Sequence, residues 1–149
     1  MCLIVDANVL GEFFTNDDFS IACAWIREGK GKLVFGGTKY RAELARVGPA
    51  LRVVGELNRI GKTVQLADSS VDAREAEIAA RSDLESDDPH IIAMVQESGC
   101  CVVCTKDRAL QKDFSKRFRQ RFGIKKPSVY KDKRHRRLIC PDNIVPACR

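Results

Sequence analysis

At 149 residues, with 44% apolar and 31% charged positions, the chain has the size and composition of one ordinary globular domain, which excludes a disordered or low-complexity protein. No apolar run approaches the roughly 20 residues of a membrane span, and Met1-Cys2-Leu3-Ile4-Val5-Asp6 meets an acid too early for a signal peptide, so a cytoplasmic protein without membrane attachment is expected. The formal net charge of +6 is unevenly placed: 11 Lys and Arg stand against 16 Asp and Glu up to residue 105, and 15 stand against 4 from Lys106 onward. An acidic body with a basic C-terminal third points to a polyanionic partner, against the plainer alternative of a solvated basic face.

In chain order, Cys2-Leu3-Ile4-Val5 reads as a buried strand ending at Asp6, with Val9, Leu10, Phe13 and Phe14 following at helical spacing. Phe19, Ala22, Cys23 and Ile26 form a second amphipathic helix, closed by Gly29 and Gly31. Leu33-Val34-Phe35 is the second strand, and Gly36-Gly37-Thr38 the turn after it. Helices are expected over about residues 38–47 and 50–60, a third strand over 62–66, and a long helix capped by Ser69-Ser70. Glu43 borders the apolar side of its helix beside Tyr40 and Leu44, an unusual place for an acid; a salt bridge with Lys39 or Arg46 is the plain explanation.

The next stretch is the most organised. Asp87 or Asp88 supplies an N-cap, Pro89 fits the first helical position, and Gly99 ends the helix. Cys101-Val102-Val103-Cys104 is a short, wholly apolar run, as expected of a strand covered on both faces, and Thr105 and Asp107 follow it directly. The recurring strand–helix–helix pattern speaks for an α/β fold with a parallel sheet. Beyond it, Phe114, Phe118 and Phe122 recur every four residues and predict one helix ending at Gly123. A basic segment then carries Lys125, Lys126, Lys131, Lys133, Arg134, Arg136 and Arg137, and Leu138-Ile139-Cys140 is read as an edge strand or docking segment before a loose tail. The organisation is a domain over 1–122 and a basic extension over 123–149, packed on that domain or trailing from it.

Seven cysteines, an odd count, argue against a disulfide framework. Cys101 and Cys104 have zinc-like spacing but sit in a strand and lack a second matching pair, so reduced, buried thiols are expected.

Asp6, Asp88 and Asp107 each stand at a helix start beside a strand end, and Glu43 lies on the helix after the second strand. Carboxylates brought close repel, and a divalent cation removes that conflict; Mg²⁺ or Mn²⁺ favours oxygen ligands of this kind. Such an ion activates water and stabilises charge on a phosphodiester, while a basic flank holds the substrate backbone. The acids, the basic arm and the lack of a P-loop, of a G-x-G-x-x-G or of a catalytic His or Cys pattern point to metal-dependent phosphodiester hydrolysis.

In IVDANVL, KYRAEL, DDPHIIA and CVVCTKD the sequence resembles the PIN-domain family of nucleases, over residues 1 to about 115. The resemblance implies a three-layer α/β/α sandwich with a central, mostly parallel sheet. It implies an endoribonuclease cutting single-stranded or structured RNA with Mg²⁺ or Mn²⁺, commonly the toxin of a toxin–antitoxin pair and commonly a homodimer; DNA is not excluded. Carried over by position, Asp6, Glu43, Asp88 and Asp107 would be catalytic metal ligands, with Asn8 and Thr105 in support. Ala109 stands where many members carry a further acid, which leaves one or two ions open. Asp88 is chosen over Asp87 because it immediately precedes Pro89-His90-Ile91, and His90 is read as a packing or hydrogen-bonding residue. Two readings compete: a non-catalytic nucleic-acid-binding scaffold with a vestigial acidic pocket, and a phosphoacceptor domain, whose acceptor would have to be Asp68.

Overall fold

The computed structural model describes residues 2–115 and 117–139. Five strands, β1 (Cys2–Val5), β2 (Lys32–Phe35), β3 (Thr63–Gln65), β4 (Val102–Cys104) and β5 (Ser128–Tyr130), form one sheet in the order β3-β2-β1-β4-β5. Every pairing is parallel, with Leu3 opposite Leu33 and Val5 opposite Cys104. β1 and β4 are buried along their whole length, which is why they read as unbroken apolar runs. Helices α1 (Ala7–Leu10), α2 (Ser20–Arg27), α3 (Thr38–Arg46), α4 (Gly48–Arg59), α5 (Asp68–Ala79), α6 (Pro89–Ser98), α7 (Arg108–Asp113) and α8 (Phe118–Phe122) complete a three-layer α/β/α sandwich. α5 packs along α6, and α6 lies on β1 and β2.

The chain steps outward from β1 through β2 to β3, then returns to the other side of β1 for β4 and β5. The direction of winding reverses between β1 and β4, and at such a point the loops leaving the two strands part to open a crevice at their carboxyl ends. Asp6 and Thr105 are the residues that leave those two ends.

One glycine is needed at the turn from β2 into α3. Gly37 has φ +88°, and a Cβ there would meet Val71 Cγ1 at 2.6 Å. Its N–H donates to Asp68 Oδ1 at 2.9 Å, and Asp68 also accepts from Arg41 Nε at 2.9 Å. Asp68 therefore ties α5 to the start of α3, a structural task.

Three expectations are corrected. The fifth strand is Ser128–Tyr130, inside the basic segment; Leu138 instead ends a 3-10 helix (Lys133–Leu138), and Cys140 with the tail beyond lies outside the described residues. The three phenylalanines do not share a helix, since α7 stops at Asp113 and Ser115 opens a new turn, its carbonyl accepting from Phe118 N at 3.1 Å. Their contact survives the break: the rings of Phe114 and Phe118 are 5.5 Å apart, and those of Phe118 and Phe122 are 4.7 Å apart. Among the cysteines, Cys23, Cys100 and Cys104 are buried thiols, the first two pushed up to about 12 by burial, whereas Cys2 is disulfide-bonded, against the expectation of reduced thiols. No cysteine belongs to a metal-holding group among the described residues.

Candidate metal centre

Asp6 ends β1 and is 6% exposed. Its backbone N–H donates to Cys104 O at 2.9 Å, which continues the β1–β4 ladder into the loop. Both carboxylate oxygens are held: Oδ1 accepts from Asn8 N at 3.1 Å and Oδ2 from Thr105 Oγ1 at 2.8 Å. Thr105 Oγ1 in turn accepts from Asp107 N at 3.0 Å, so one hydroxyl fastens the loops after β1 and β4 together. Asn8 supports the site through its backbone; its side chain is exposed.

Glu43 is aimed by Tyr40. The Tyr40 phenol is fully buried and donates to the carbonyl of Val5, pinning the first turn of α3 to the carboxyl end of β1. Glu43, three residues on, shares that face of the helix and is brought to the same crevice. Its partner is not Lys39 or Arg46: Glu43 Oε2 lies 3.0 Å from His90 Nε2. Lys39 reaches the Asp87 carbonyl and approaches Glu75 Oε1 at 4.0 Å.

α6 delivers the other two groups. Asp88 occupies the N-cap position, yet its carboxylate makes no capping bond, so it is left to face the crevice. Pro89 starts the helix and His90 follows, completely buried. His90 Nε2 thus answers Glu43 Oε2 at 3.0 Å, while His90 Nδ1 is buried with no hydrogen-bond partner. Glu43, Asp88 and His90 each offer a ligand atom, all within 4.8 Å of one another, and this group can hold a metal ion.

The charges act on one another. Burial pushes the Asp6 carboxyl above its usual value; Thr105 and Asn8 oppose the shift, and the charge of Glu43 adds to it. Asp88 is raised too, by burial first, then opposed by His90 and reinforced by Asp6 and Glu43. Glu43 goes the other way: burial acts to raise it, but the adjoining imidazole, with Lys39 and Arg46 farther out, brings it below the ordinary carboxylate range.

Asp107 enters from a different side. It is exposed, its Oδ1 caps α7 by accepting from Leu110 N at 2.8 Å, and it shares with Asp6, Asn8, Val9, Glu12 and Lys106 a crevice of about 230 Å³. Asp6 therefore joins the two parts, lining the crevice with Asp107 and coupling electrostatically to Glu43 and Asp88.

The basic residues are divided by β5. Lys131 and the 3-10 helix of Lys133–Leu138 follow the carboxyl end of that strand, the end at which Asp6 lies, two strands or roughly 10 Å from β1. Lys125 and Lys126 precede β5 and therefore sit toward the opposite end of the sheet. Lys133 pairs with Asp17 at 2.6 Å and Arg134 with Asp132 at 2.8 Å, while Arg136 and Arg137 are exposed.

From the sequence His90 is expected as a packing or hydrogen-bonding residue rather than a ligand, and Glu12 and Lys106 are not singled out; the structure does bring His90 against Glu43. The signal for His90 was present in Asp88-Pro89-His90, which puts an acid and an imidazole in the first turn of a helix aimed at a strand end. Compared with family models, with curated proteins and with solved structures, the chain matches none.

Proposed function

We propose that this protein is an endoribonuclease that hydrolyses phosphodiester bonds with the help of Mg²⁺ or Mn²⁺, in keeping with its resemblance to PIN-domain nucleases. The observation that carries this reading is the convergence of Glu43, Asp88 and the buried His90 beside the buried Asp6 at the carboxyl ends of β1 and β4. The donor set suits a divalent cation: the carboxylates repel while no cation separates them, and the buried imidazole faces Glu43 with its other nitrogen unmet. An ion held there would polarise a phosphoryl oxygen and acidify a water.

The chain's own groups supply the rest. Asp6, with its pKa raised and its orientation locked by Thr105 and Asn8, is placed to take a proton from a water in the crevice. Lys106 lines that crevice paired with Glu12, and would exchange that partner for a phosphate oxygen. Lys131, Arg136 and Arg137, toward the same end of the sheet, would track the backbone of a nucleic acid. If the enzyme serves as a toxin, an acidic antitoxin covering this basic edge is the partner such a surface would take.

The test is incubation of the purified chain with single- and double-stranded RNA and DNA, with EDTA, Mg²⁺ or Mn²⁺. Cleavage of RNA is expected only with the metal, and Asp6→Asn and Asp88→Asn should each slow it by at least about 100-fold. Wild-type rates in both variants would remove catalysis from this crevice. Salt-sensitive binding of RNA with no turnover under any metal would make the protein a binding scaffold.

A further inference from the structure

Six polar residues are buried among those described: Asp6, Ser86, His90, Ser98, Thr105 and Asp113. Five are satisfied within the chain. Asp6 is held by Thr105 and Asn8, and Ser98 Oγ donates to Met94 O at 2.6 Å. Asp113 accepts from Ser86 Oγ at 2.8 Å, which satisfies both of those residues. Of these six, His90 is the one with a ring nitrogen unmet: Nδ1 has no hydrogen-bond partner, while Nε2 lies 3.0 Å from Glu43 Oε2. Leaving a buried polar atom unpaired costs about 1–3 kcal/mol. The ring also offers a ligand atom within 4.8 Å of those of Glu43 and Asp88.

We infer that His90 is itself a ligand, and that its nitrogen turns an acidic seat into a mixed carboxylate–imidazole seat that takes Mn²⁺ in preference to Mg²⁺. The inference rests on the metal-dependent reading above and adds to it the identity of one donor and its consequence. Mg²⁺ demands oxygen donors and gives up its waters reluctantly, whereas first-row transition dications accept imidazole nitrogen. An all-carboxylate site would bind the two ions with little distinction. A site in which one of three donors is nitrogen disfavours Mg²⁺, because the imidazole must displace a water the ion holds tightly. His90 thus acts as the element that discriminates between the two ions, while Glu43 and Asp88 supply the charge.

The chain has two histidines, His90 and His135, which makes the test clean. Mn²⁺ is titrated into the full-length protein and bound ion is followed by loss of the free-ion electron paramagnetic resonance signal; electron spin echo modulation then reports whether imidazole ¹⁴N is bonded to the manganese. Nitrogen modulation is expected in the wild type and in His135→Ala, and should vanish in His90→Asn, which keeps a polar side chain of similar reach but removes the ring. Mg²⁺ competition should show a preference for Mn²⁺ of at least about tenfold in the wild type, shrinking severalfold in His90→Asn. Bound Mn²⁺ without nitrogen modulation would overturn the inference, and RNA cleavage with Mg²⁺ as fast as with Mn²⁺ would then leave the nuclease reading standing on the acids. No Mn²⁺ uptake at millimolar ion would overturn both. Should His90→Asn fail to fold, the wild type and His135→Ala spectra decide the matter alone.

Discussion

Among the described residues, two places bury carboxylates, and they are built on opposite terms. Asp113, at the end of α7, is fully buried and fully answered: it accepts from Ser86 Oγ at 2.8 Å, Ser86 N at 3.0 Å and Glu85 N at 3.1 Å, with Arg121 Nη2 at 3.3 Å. The crevice at the ends of β1 and β4 gathers Asp6, Glu43 and Asp88 with no arginine among them, and the imidazole beside them meets only Glu43. A buried acid with every lone pair engaged is part of the scaffold. A group of acids in which burial and neighbouring negative charge push two carboxyls up, beside an imidazole with one nitrogen unmet, is a site made for something the chain does not itself contain. The two are also linked. Asp113 and Arg121 hold the 83–88 loop, Arg121 Nε pairing with Asp83 Oδ2 at 2.9 Å, and that loop leads directly into Asp88.

The largest effect should come from breaking the scaffold side of the contrast. Asp113→Ala removes the acceptor for two backbone N–H groups and one hydroxyl and takes one carboxylate contact from Arg121, which keeps Asp83 and the residue 113 carbonyl. Loss of one partner in a buried charged network costs about 3–5 kcal/mol, which for a chain of this size lowers Tm by roughly 10 °C. Chemical and thermal unfolding of the variant measures this. A loss under 1 kcal/mol would show that the loop is held by Arg121 and Asp83 without Asp113.

The fold was legible where apolar runs were long enough to be unambiguous. Cys2–Val5, Lys32–Phe35 and Val102–Cys104 lie in the interior of the sheet, and burial on both faces leaves a continuous signature. Ser128–Tyr130 was not, because an edge strand of three residues with Tyr130 alone fully buried leaves almost no pattern, and cations surround it. Its place is decided by pairing with β4, a tertiary fact. The break after Asp113 was hidden for a related reason: Ser115 starts the new turn, yet the period of four in the phenylalanines runs straight through it. In the site, the acids could be read because strand ends are where loops carry function. His90 reads in the sequence as a packing or hydrogen-bonding residue, because the acid it meets, Glu43, comes from another helix and their approach is a tertiary fact. The division of the basic residues by β5 followed from a strand that was itself missed.

A smaller effect, of opposite sign, is expected on the functional side. Asp6 has its pKa raised in the folded protein by burial and by Glu43. The folded state therefore binds this proton more tightly than the unfolded one, and above the ordinary value of 3.8 the charge on Asp6 works increasingly against folding as pH rises through its folded pKa. Asp6→Asn removes that penalty and keeps an oxygen for Thr105. In EDTA at neutral pH the variant should be more stable than the wild type, by on the order of 1 kcal/mol or a few degrees in Tm. The advantage should shrink as pH falls toward the ordinary value of 3.8, where the unfolded carboxyl also begins to take up its proton. Thermal melts of the pair between pH 4 and 8 test this directly; a variant less stable than wild type at pH 7 would class Asp6 with Asp113 as a scaffold acid.

The smallest effect marks where charge stops mattering to the fold. Lys133 and Asp17 meet at 2.6 Å and tie the 3-10 helix after β5 to the short 3-10 helix Asp17–Phe19 before α2, but both are exposed. A pair of that kind gains little from its Coulomb attraction, because water screens it and two long side chains lose freedom in forming it. Lys133→Ala should therefore leave Tm unchanged within error and leave its salt dependence flat. The same substitution removes a cation from the edge proposed to hold nucleic acid, so RNA affinity should fall and the slope of its dependence on salt should decrease by about one. A change in stability with no change in RNA binding would reverse the assignment and make Lys133 a fastener of the fold, leaving Lys131, Arg136 and Arg137 as the contacts to be tested for substrate.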